Sequence, residues 1–555
     1  MKANKPNARI LELGCFDGTV GIHVLRACPE VNYVAIDTMK AALDAFQARA
    51  VDEGLSDRLE LHLGMDLDAA WTATSRFFDV IVFFEIIEHV SDLATSLFSL
   101  RSHLRAGGRL FVSTPWGAYD RGRPYNLDKR DPRGHVRAMT AWELFDAVED
   151  AGFHVETMNG ANGVSGATLH LVAWHQHDRE PPRLPLSFFV PSALWDWNAS
   201  KVIETGMGAS EETIVYLAQR LAEDRRNSVS VYGPVPEDLP CVSEEVRDGV
   251  GYWTRAKVAD AKPGTMIVSR SPSAGRLVDP KGKQDRILWL QDTIYPDLNE
   301  TTARDYRKIV VLSEWHKQVI AEQVGKEASR LEIIPNFILA EHFKSEGAPK
   351  REFHHFIYAS SPDRGLVRLL KMWPAIRSSI PDATLDIFYG WEGCMKLGTG
   401  NTPGWTKHYR KVRTEFAALQ YQPGVTSRGR VNHETLAREF QRASVWAYPT
   451  AFGEAGCLTA VKARAAGCIP VTTRYAALNE TAACPETFFV NMPGVGLLED
   501  PTETPEAFED YQTRFIDSLL YAIDTPGSSR RQMSERAIEE YELSVILPRW
   551  LEILP

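Results

Sequence analysis

Two stretches of the chain decide its fold: residues 8–18, ARILELGCFDG, and residues 78–90, FDVIVFFEIIEHV. Each begins with a short apolar run and continues into a turn with glycine or acidic residues, which predicts a buried parallel strand that leads into a helix. Amphipathic stretches separate the strands, so the pattern predicts an α/β domain with a doubly wound sheet. Further strands are predicted at 33–37, 59–64, 107–115, 153–158 and 167–174.

The composition is that of a globular protein. The chain has 555 residues, of which 44% are hydrophobic and 24% charged, so at least two domains are expected and a disordered, collagen-like or coiled-coil chain is excluded. The 62 Lys and Arg against 73 Asp and Glu give a net charge of −11, which argues against broad contact with nucleic acid or an anionic membrane. No stretch has the roughly 18 consecutive apolar residues of a transmembrane helix. The N-terminus has no signal-peptide core, and the cysteines form no CxxC pair, so we expect a cytoplasmic protein.

Acidic residues stand near the ends of the first two predicted strands. Glu12 precedes the loop that contains Gly14 and Gly18, and Asp37 ends the second strand. A carboxylate at the position of Asp37 can accept hydrogen bonds from both hydroxyls of a ribose. One interpretation is therefore that the ligand is a nicotinamide dinucleotide. However, the loop lacks a full GxGxxG pattern, and Glu12 would repel a pyrophosphate. Both features favour a cationic or zwitterionic ligand.

Residues 8–176 resemble a class I S-adenosylmethionine-dependent methyltransferase. The resemblance rests on ELGCFDG, the acid of AID, Asp66, FDVIVFFEIIEHV and LRAGGRLFVSTP, in that order. It implies that Glu12 and Gly14 flank the methionine part of the cofactor, that Asp37 holds the ribose and that Asp66 meets the adenine amine. Phe16 departs from the pattern, because many relatives have glycine there. The residues assigned to the cofactor are Glu12, Gly14, Asp17, Gly18, Asp37, Asp66 and Glu85.

The methyl acceptor is expected beside Glu88 and His89, which follow the fourth strand, and beside His135. A hydroxyl loses its proton as it attacks the sulfonium methyl, and histidine is the side chain best suited to accept that proton near neutral pH. The alternative is that His89 caps a helix or orders its loop and that His135 is a surface residue.

The clearest linker is the charged, proline-rich stretch DREPPRLP at 178–185. Beyond it the alternation restarts, and KVIETGMGASE at 201–211 predicts a strand, a glycine loop and a helix. A second alternating unit begins with a strand at 356–359. The predicted organisation is a methyltransferase domain at 1–178, a linker at 179–197, and glycosyltransferase lobes at 198–345 (acceptor side) and 346–555 (nucleotide-sugar side).

These two lobes are assigned by a second resemblance: residues 198–545 are similar to a retaining, family 4-like glycosyltransferase of the B-type (GT-B) fold. The resemblance rests on TGMGASEETIVYLAQRLA, SEWH, IPNF, SSPDRGL and YPTAFGEAGCLTAVKARAAGCIPV. It implies two Rossmann-like lobes and a nucleotide-diphosphate-sugar donor in the cleft between them. The fold is usually metal-independent, and no metal site is predicted. Retention is usually assigned to a front-face mechanism, in which the donor phosphate takes the proton of the acceptor.

The donor motif departs from the family at one position. Glu454 occupies the place of the glutamate that contacts the donor sugar, but Lys462 replaces the second glutamate, which contacts the nucleotide ribose. Lysine cannot accept hydrogen bonds, so Lys462 is expected to approach a phosphate or a carboxylate. Ala359 replaces one cation of the usual pair, which leaves Arg364 and the helix start after Gly456 to meet the diphosphate. The residues assigned to the donor are Gly208, Arg364, Gly365, Glu454, Gly456, Cys457, Leu458 and Lys462.

Two alternatives stay open for this half of the chain. In the first, Glu454 and Arg364 both bind the donor, or else Glu454 only caps its helix and Arg364 is a solvated surface residue. Asp292 is a candidate to orient an acceptor hydroxyl, and the alternative is that it orders its own loop.

Three hypotheses about function follow. The first is a bifunctional enzyme of cell-surface polysaccharide or glycoconjugate synthesis, which transfers a sugar with retention and methylates a hydroxyl of the same glycan or glycolipid. The second is a pair of tailoring activities on a small natural product. The third is one active domain joined to a binding or dimerising module. Peripheral membrane contact and homo-oligomerisation are left open.

Overall fold

The structure is a computed structural model that describes residues 7–64, 77–115, 139–163, 166–175, 184–191, 193, 195–224, 226–233, 235, 244–279, 282, 284–390, 403–492 and 504–555. The chain forms two compact units. The first comprises Met1–Leu186, Trp197–Ala199 and Ala218–Val258, and the second comprises Ser187–Asp196, Ser200–Leu217 and Ala259–Pro555.

The first unit alternates strands and helices. Its strands are β1 (Arg9–Leu13), β2 (Asn32–Asp37), β3 (Leu59–Leu63), β4 (Phe78–Phe84), β5 (Leu104–Pro115), β6 (Phe153–Gly163), β7 (Gly166–His175), β9 (Asn227–Gly233), β10 (Glu245–Arg247) and β11 (Val250–Thr254). Its helices are α1 (Thr19–Ala27), α2 (Lys40–Asp52), α3 (Leu93–His103) and α4 (Ala141–Asp150). Three elements have residues in both units: β8 (Leu184–Phe189), α5 (Ala199–Thr205) and α6 (Ala209–Ala222).

The sheet of the first unit contains the predicted parallel strands and the predicted antiparallel hairpin, together with β9, β10 and β11 from residues that were predicted in the N-lobe. Its strands follow the order β9-β11-β10-β6-β7-β5-β4-β1-β2-β3. β3, β2, β1, β4 and β5 are parallel, whereas β7 is antiparallel to both β5 and β6. The parallel order places the carboxyl ends of β1, β2 and β4 at one edge, and loops that follow such ends form ligand sites in α/β proteins. The predictions of a Rossmann-like domain and of an antiparallel hairpin are confirmed, but the hairpin does not close the sheet, because β10 pairs with β6 and the sheet continues to β11 and β9.

Local sequence signals explain two helix starts in this unit. Thr140 caps α4 by accepting the Glu143 N–H while the Glu143 side chain accepts from the Thr140 N–H, which confirms the predicted capping box. α1 begins after Gly18, whose φ of +74° lies in the left-handed region that glycine adopts without steric cost.

The second unit carries two sheets. The strands β12 (Thr265–Ser269), β13 (Asp285–Trp289), β14 (Lys308–Val311) and β15 (Leu331–Ile333) continue from β8 in the order β15-β14-β13-β12-β8. The other sheet has the order β18-β17-β16-β19-β20-β21, all parallel, with β16 (Glu352–Ala359), β17 (Thr384–Phe388), β18 (Val425–Gly429), β19 (Ala443–Tyr448), β20 (Ile469–Thr472) and β21 (Phe488–Phe489). Its further helices are α7 (Ala274–Val278), α8 (Glu300–Ala303), α9 (Glu314–Val324), α10 (Leu366–Ser379), α11 (Pro403–Leu419), α12 (His433–Arg442), α13 (Leu458–Ala465), α14 (Leu478–Thr481), α15 (Pro505–Ile523), α16 (Gly527–Tyr541) and α17 (Leu543–Ile553).

The core of the second sheet confirms the predicted α/β character of this half. The side chains of Trp446 in β19 and Trp373 in α10 are at most 1% exposed. Trp446 stacks on Tyr448 with ring centroids 4.7 Å apart. In the middle of this parallel sheet β19 is buried at every residue, as expected for a strand that is covered on both faces.

One predicted strand is wrong. Residues 201–205 lie in helix α5, where Val202 is buried and its neighbours Lys201 and Glu204 are exposed, a spacing that suits a helix face better than a strand. The strand of this region is β8, which lies inside the stretch predicted as a linker. Residues 218–258, predicted in the N-lobe, belong to the first unit, where β10 pairs with β6. The predicted domain limits themselves stay predictions.

Among the described residues, no helix has the length and apolarity that crossing a bilayer requires.

Candidate active sites

The loop after β1 is tied to the end of β2 by one carboxylate. Asp37 Oδ2 accepts the N–H of Phe16 at 2.8 Å, and its Oδ1 accepts the N–H of Met39 at 2.8 Å. Phe16 has a φ of +45°, which is uncommon for a residue with a side chain, and the bond to Asp37 holds it there. Each carboxylate oxygen keeps a lone pair for a ligand hydroxyl.

Glu12 lies in β1 and is 3% exposed. Burial raises the pKa of Glu12 to about 7, although the hydrogen bond that Tyr33 Oη donates to Glu12 Oε2 at 2.9 Å opposes the shift. A carboxyl with such a pKa is partly ionised at neutral pH, and a nearby cation would favour its charged form.

Three apolar side chains are exposed at the same edge of the sheet. Phe16 follows β1, Met39 follows β2 and Leu63 ends β3, with 62%, 52% and 61% of their surfaces exposed. Apolar surface beside two carboxyls suits a ligand that joins a planar ring to a cationic group.

Asp17, which the sequence assigns to the cofactor, orders the loop in the structure. Its Oδ1 accepts the Thr19 hydroxyl at 2.7 Å, and its Oδ2 lies 3.1 Å from Arg49 Nη1. The hydrogen bond from Thr19 lowers the pKa of Asp17. Its assignment to the cofactor stays a prediction.

Predicted acceptor-side residues gather at the carboxyl end of β4. Glu88 is 2% exposed and accepts the Thr114 hydroxyl at 3.2 Å, and burial raises its pKa to about 7. His89 Nε2 lies 4.0 Å from Glu88 Oε1. Glu85 has a φ of +53° and accepts the Ser113 hydroxyl at 2.8 Å. Asp66 and His135 lie outside the described residues.

In the second unit, Glu454 and Arg364 contact each other directly. Arg364 Nη1 lies 3.2 and 3.1 Å from the two Glu454 oxygens, and Tyr448 Oη donates to Glu454 Oε1 at 2.5 Å. The guanidinium also lies over the Phe452 ring, 4.1 Å from its centroid. Arg364 Nε has no hydrogen-bond partner within the described part of the chain, so this group retains a donor for a ligand. The pair is neither a helix cap nor a solvated surface contact.

Five of the remaining donor residues lie where turns lead into helices of this unit. Gly365 has a φ of +107°, and a Cβ there would lie 2.4 Å from the Pro449 carbonyl oxygen, so only glycine fits. A Cβ on Gly456 would lie 2.7 Å from Leu312 Cβ. Cys457 precedes α13, and Leu458 begins it. Gly208 precedes α6. Their contacts to a donor stay predictions.

Asp292 forms an ion pair with Arg270, whose Nη2 lies 2.7 Å from Asp292 Oδ2. The Asp292 N–H donates to Tyr295 Oη at 2.6 Å, and its carbonyl oxygen lies 2.9 Å from His316 Nε2. These bonds support the alternative in which Asp292 orders its loop.

Sequence reasoning missed Glu212 of α6. Lys462 Nζ donates to Glu212 Oε2 at 2.6 Å, and His433 Nδ1 lies 3.4 Å from Glu212 Oε1. The signal was present in the sequence, because a lysine in the middle of the apolar helix α13 requires an anionic partner. Which of the acidic residues supplies it could not be read from the sequence.

Three further side chains could be mistaken for a metal centre. His355, Asp386 and Glu439 place ligand atoms within 4.8 Å of one another. However, Arg428 Nε lies 3.1 Å from Asp386 Oδ2, and Arg442 donates to the same oxygen. Two guanidinium groups supply the positive charge at this carboxylate, so the group is an ion-pair network.

Comparison with known proteins assigns the N-terminal region. Residues 1–158 match the family model described as "Methyltransferase domain". This region of the chain is a methyltransferase domain. Among curated proteins, it is similar to the ubiquinone biosynthesis O-methyltransferase of Aeromonas salmonicida (29% identity over 163 residues, 28% of this chain and 66% of that protein). The enzyme of the same name from Xylella fastidiosa strain M23 is 32% identical over 107 residues, 19% of this chain and 42% of that protein. The chain thus spans just under two thirds of the first relative.

Solved structures resemble the chain over a larger share. Anabaena HepE, crystallised with UDP and glucose, has 13% identity and a TM-score of 0.46, and covers 67% of this chain and 99% of its own. Sucrose-phosphate synthase from Thermosynechococcus elongatus has 14% identity and a TM-score of 0.48, and covers 67% of this chain and 98% of its own. The [4+2]-cyclase SpnF covers 31% of this chain at 16% identity, with a TM-score of 0.27.

Proposed function

We propose that the chain is a bifunctional transferase. Its methyltransferase domain would methylate a hydroxyl of a glycan or glycolipid with S-adenosylmethionine, and its second unit would transfer a sugar from a nucleotide-diphosphate donor with retention. Both activities would serve cell-surface polysaccharide or glycoconjugate synthesis. The observation that carries the proposal is the placement of Glu12 and Asp37 on neighbouring parallel strands of a methyltransferase domain.

The residues of the first site fit this cofactor. S-adenosylmethionine supplies an electrophilic methyl group on a sulfonium cation, and it also carries a ribose and an adenine ring. Asp37 would accept ribose hydroxyls through its remaining lone pairs, and Glu12 would balance the positive charge in its ionised form. The exposed Phe16 and Leu63 offer apolar surface to the adenine. Glu88, whose pKa is raised to about 7 by burial, would accept the proton of an acceptor hydroxyl.

The residues of the second unit fit an anionic sugar donor. Glu454 would accept hydroxyls of the transferred sugar, and Arg364, which lies beside it, would contact the diphosphate. The start of α13 after Gly456 would add backbone N–H groups to the same site. The protein would then act by positioning the donor and stabilising charge on the leaving phosphate.

Ligand binding by the full-length chain tests both halves. Calorimetry should show that the chain binds S-adenosylhomocysteine and one of the four nucleoside diphosphates UDP, GDP, ADP and CDP. Asp37→Ala should weaken S-adenosylhomocysteine by about 10- to 150-fold, the equivalent of about 1.5–3 kcal/mol for a hydrogen bond to a charged group, and leave nucleotide binding unchanged. Asp44→Ala is a matched control, because Asp44 is an exposed carboxylate that pairs with Lys40 on the same domain.

Sugar transfer is tested separately. Glu454→Gln should lower it at least tenfold and leave methyl transfer unchanged, since the two sites lie on different units. Glu434→Gln, which removes an exposed carboxylate paired with Arg438, is the control. Binding of only one class of ligand would leave one domain as a binding module and refute the bifunctional proposal.

A further inference from the structure

A cavity of about 80 Å³ lies in the second unit, and its wall is positively biased. Ala209, at the start of α6, and Leu458 and Thr459, at the start of α13, line it together with Arg430 and Lys462. The first turn of a helix carries a partial positive charge and N–H groups without an intrahelical partner. Two helix starts and two cations at one cavity suit an anion such as a phosphate.

Glu212 lines the same cavity and is the counter-ion of Lys462. Glu212, His433 and Lys462 are 4%, 3% and 6% exposed. Burial works to raise the pKa of Glu212, but the Lys462 ammonium beside it holds that pKa below its usual value, so Glu212 is a carboxylate at neutral pH. Burial lowers the pKa of His433 to about 4, so its ring is neutral. The three side chains together therefore carry no net charge.

The two carboxylate oxygens of Glu212 have different neighbours. One Glu212 oxygen accepts from Lys462 at 2.6 Å, and the other faces His433 Nδ1 at 3.4 Å. His433 Nδ1 forms no hydrogen bond among the described residues, whereas its Nε2 lies 3.3 Å from the Met207 nitrogen and 3.2 Å from the Met207 carbonyl oxygen. An ammonium has three N–H groups, and Lys462 uses one of them in its bonds to the described residues. Two N–H groups of a buried cation are thus left at the cavity wall.

We propose that Glu212 is a positioning residue, which fixes the Lys462 ammonium so that its two other N–H groups bind phosphate oxygens of the nucleotide in this cavity. His433 lies beside the second Glu212 oxygen, with Nδ1 3.4 Å away. In this proposal Glu212 acts through Lys462. The inference rests on the proposed sugar-transfer function and names residues that recognise the anionic part of the donor.

A double-mutant cycle tests this dependence. The probe is whichever of UDP, GDP, ADP and CDP the parent chain binds most tightly, measured by calorimetry. Lys462→Met and Glu212→Gln should each weaken it by about 10- to 100-fold, in the range for hydrogen bonds to charged groups. The double variant should bind like Lys462→Met alone, because the proposed effect of Glu212 passes through Lys462. Glu211→Gln, the same change one residue earlier on α6, should bind like the parent.

The matching nucleoside separates positioning from a general effect on the fold. It lacks the phosphates, so both variants should bind it within about twofold of the parent, as measured by ligand-detected NMR. Equal losses for nucleoside and diphosphate would overturn the proposal, as would independent, additive losses in the cycle. The charge-reversed variant Glu212→Lys/Lys462→Glu keeps an ion pair, so it addresses the case in which a single variant fails to fold. It should melt near the parent temperature and lose diphosphate binding, and parent-like binding by this variant would refute the inference.

Failure of the proposed function has a different signature. A parent chain that binds none of the four diphosphates would refute both the sugar-transfer function and this inference. Tight diphosphate binding that is insensitive to Glu212→Gln would refute the inference alone.

Discussion

Replacing Gly18 by alanine should destabilise the first unit through two separate costs. Gly18 has a φ of +74°, and a Cβ built on it would lie 2.1 Å from both Cγ and Cδ2 of Phe46. Phe46 of α2 is completely buried and packs edge-on against Tyr33, with ring centroids 6.4 Å apart, so it has little room to move. The substitution therefore strains the backbone and overfills the core.

The magnitude follows from these two terms. A left-handed backbone costs a residue with a side chain roughly 1–2 kcal/mol. Overpacking a well-filled core costs a further 1–3 kcal/mol or so. Since about 1 kcal/mol shifts the melting temperature of a domain of this size by roughly 2–4 °C, the sum of about 2–5 kcal/mol predicts a fall of about 4–20 °C.

Two other glycines separate the terms. Gly107 has a φ of +75°, and no atom of the described residues lies within 4 Å of the position that a Cβ would take there, so Gly107→Ala measures the backbone cost alone. Gly21, inside α1, would place its Cβ 2.3 Å from Phe46 Cζ without a left-handed φ. Gly21→Ala therefore measures the packing cost, less the roughly 1 kcal/mol by which alanine favours a helix over glycine.

Scanning calorimetry of the full chain measures all three variants, and the transition of the first unit is identified as the one that S-adenosylhomocysteine raises. Gly18→Ala should lower the melting temperature of this transition more than either control does. Adding Phe46→Leu to Gly18→Ala should recover part of the loss. A loss for Gly18→Ala no larger than that for Gly107→Ala would refute the packing argument.

Three further outcomes are expected. Tyr33→Phe removes the bond that opposes the raised pKa of Glu12, so S-adenosylmethionine should bind more weakly at pH 7 and recover by pH 9 in titrations; a pH-independent loss would contradict this. Glu88 has a pKa raised from 4.5 to about 7, so its contribution to stability is fully present below pH 4.5 and is lost as the pH rises through 7, by up to about 3 kcal/mol. Glu88→Gln should therefore raise the melting temperature relative to the parent more at pH 8 than at pH 5, and a constant difference would argue against the shift. Arg364→Lys should weaken nucleoside diphosphate binding at least tenfold, because lysine cannot reproduce a guanidinium that holds Glu454 and a ligand together; calorimetry decides it.

The sequence predicts well where a signal is local. β4 begins and ends at the predicted residues, Phe78 and Phe84, because the apolar run Val80–Phe84 is long enough for a buried strand and ends at the acidic Glu85. The capping box at Thr140 is predictable for the same reason, since its two bonds join residues three positions apart. The resemblance to a methyltransferase rests on five motifs in order rather than on any one of them.

Prediction fails where distant contacts decide. Residues 201–205 carry valine and isoleucine, which favour a strand, yet they form α5. β8 is hidden in a stretch with prolines that reads as a linker. The pair of Lys462 and Glu212 joins residues 250 positions apart, so no local pattern can reveal it. The departure at Lys462 is visible in the sequence, but its consequence is not.

The buried carboxyl groups of the two candidate sites have different surroundings, and this difference supports the ligands proposed for the sites. In the first unit, burial raises the pKa of both Glu12 and Glu88 to about 7, and a cationic ligand would favour their ionised forms. In the second unit, buried carboxylates meet cations: Glu212 contacts Lys462, and Glu454 contacts Arg364. Each of these cations retains N–H groups beyond those its carboxylate accepts, and such donors suit an anion. A sulfonium in one site and a diphosphate in the other are the ligands that these charges favour.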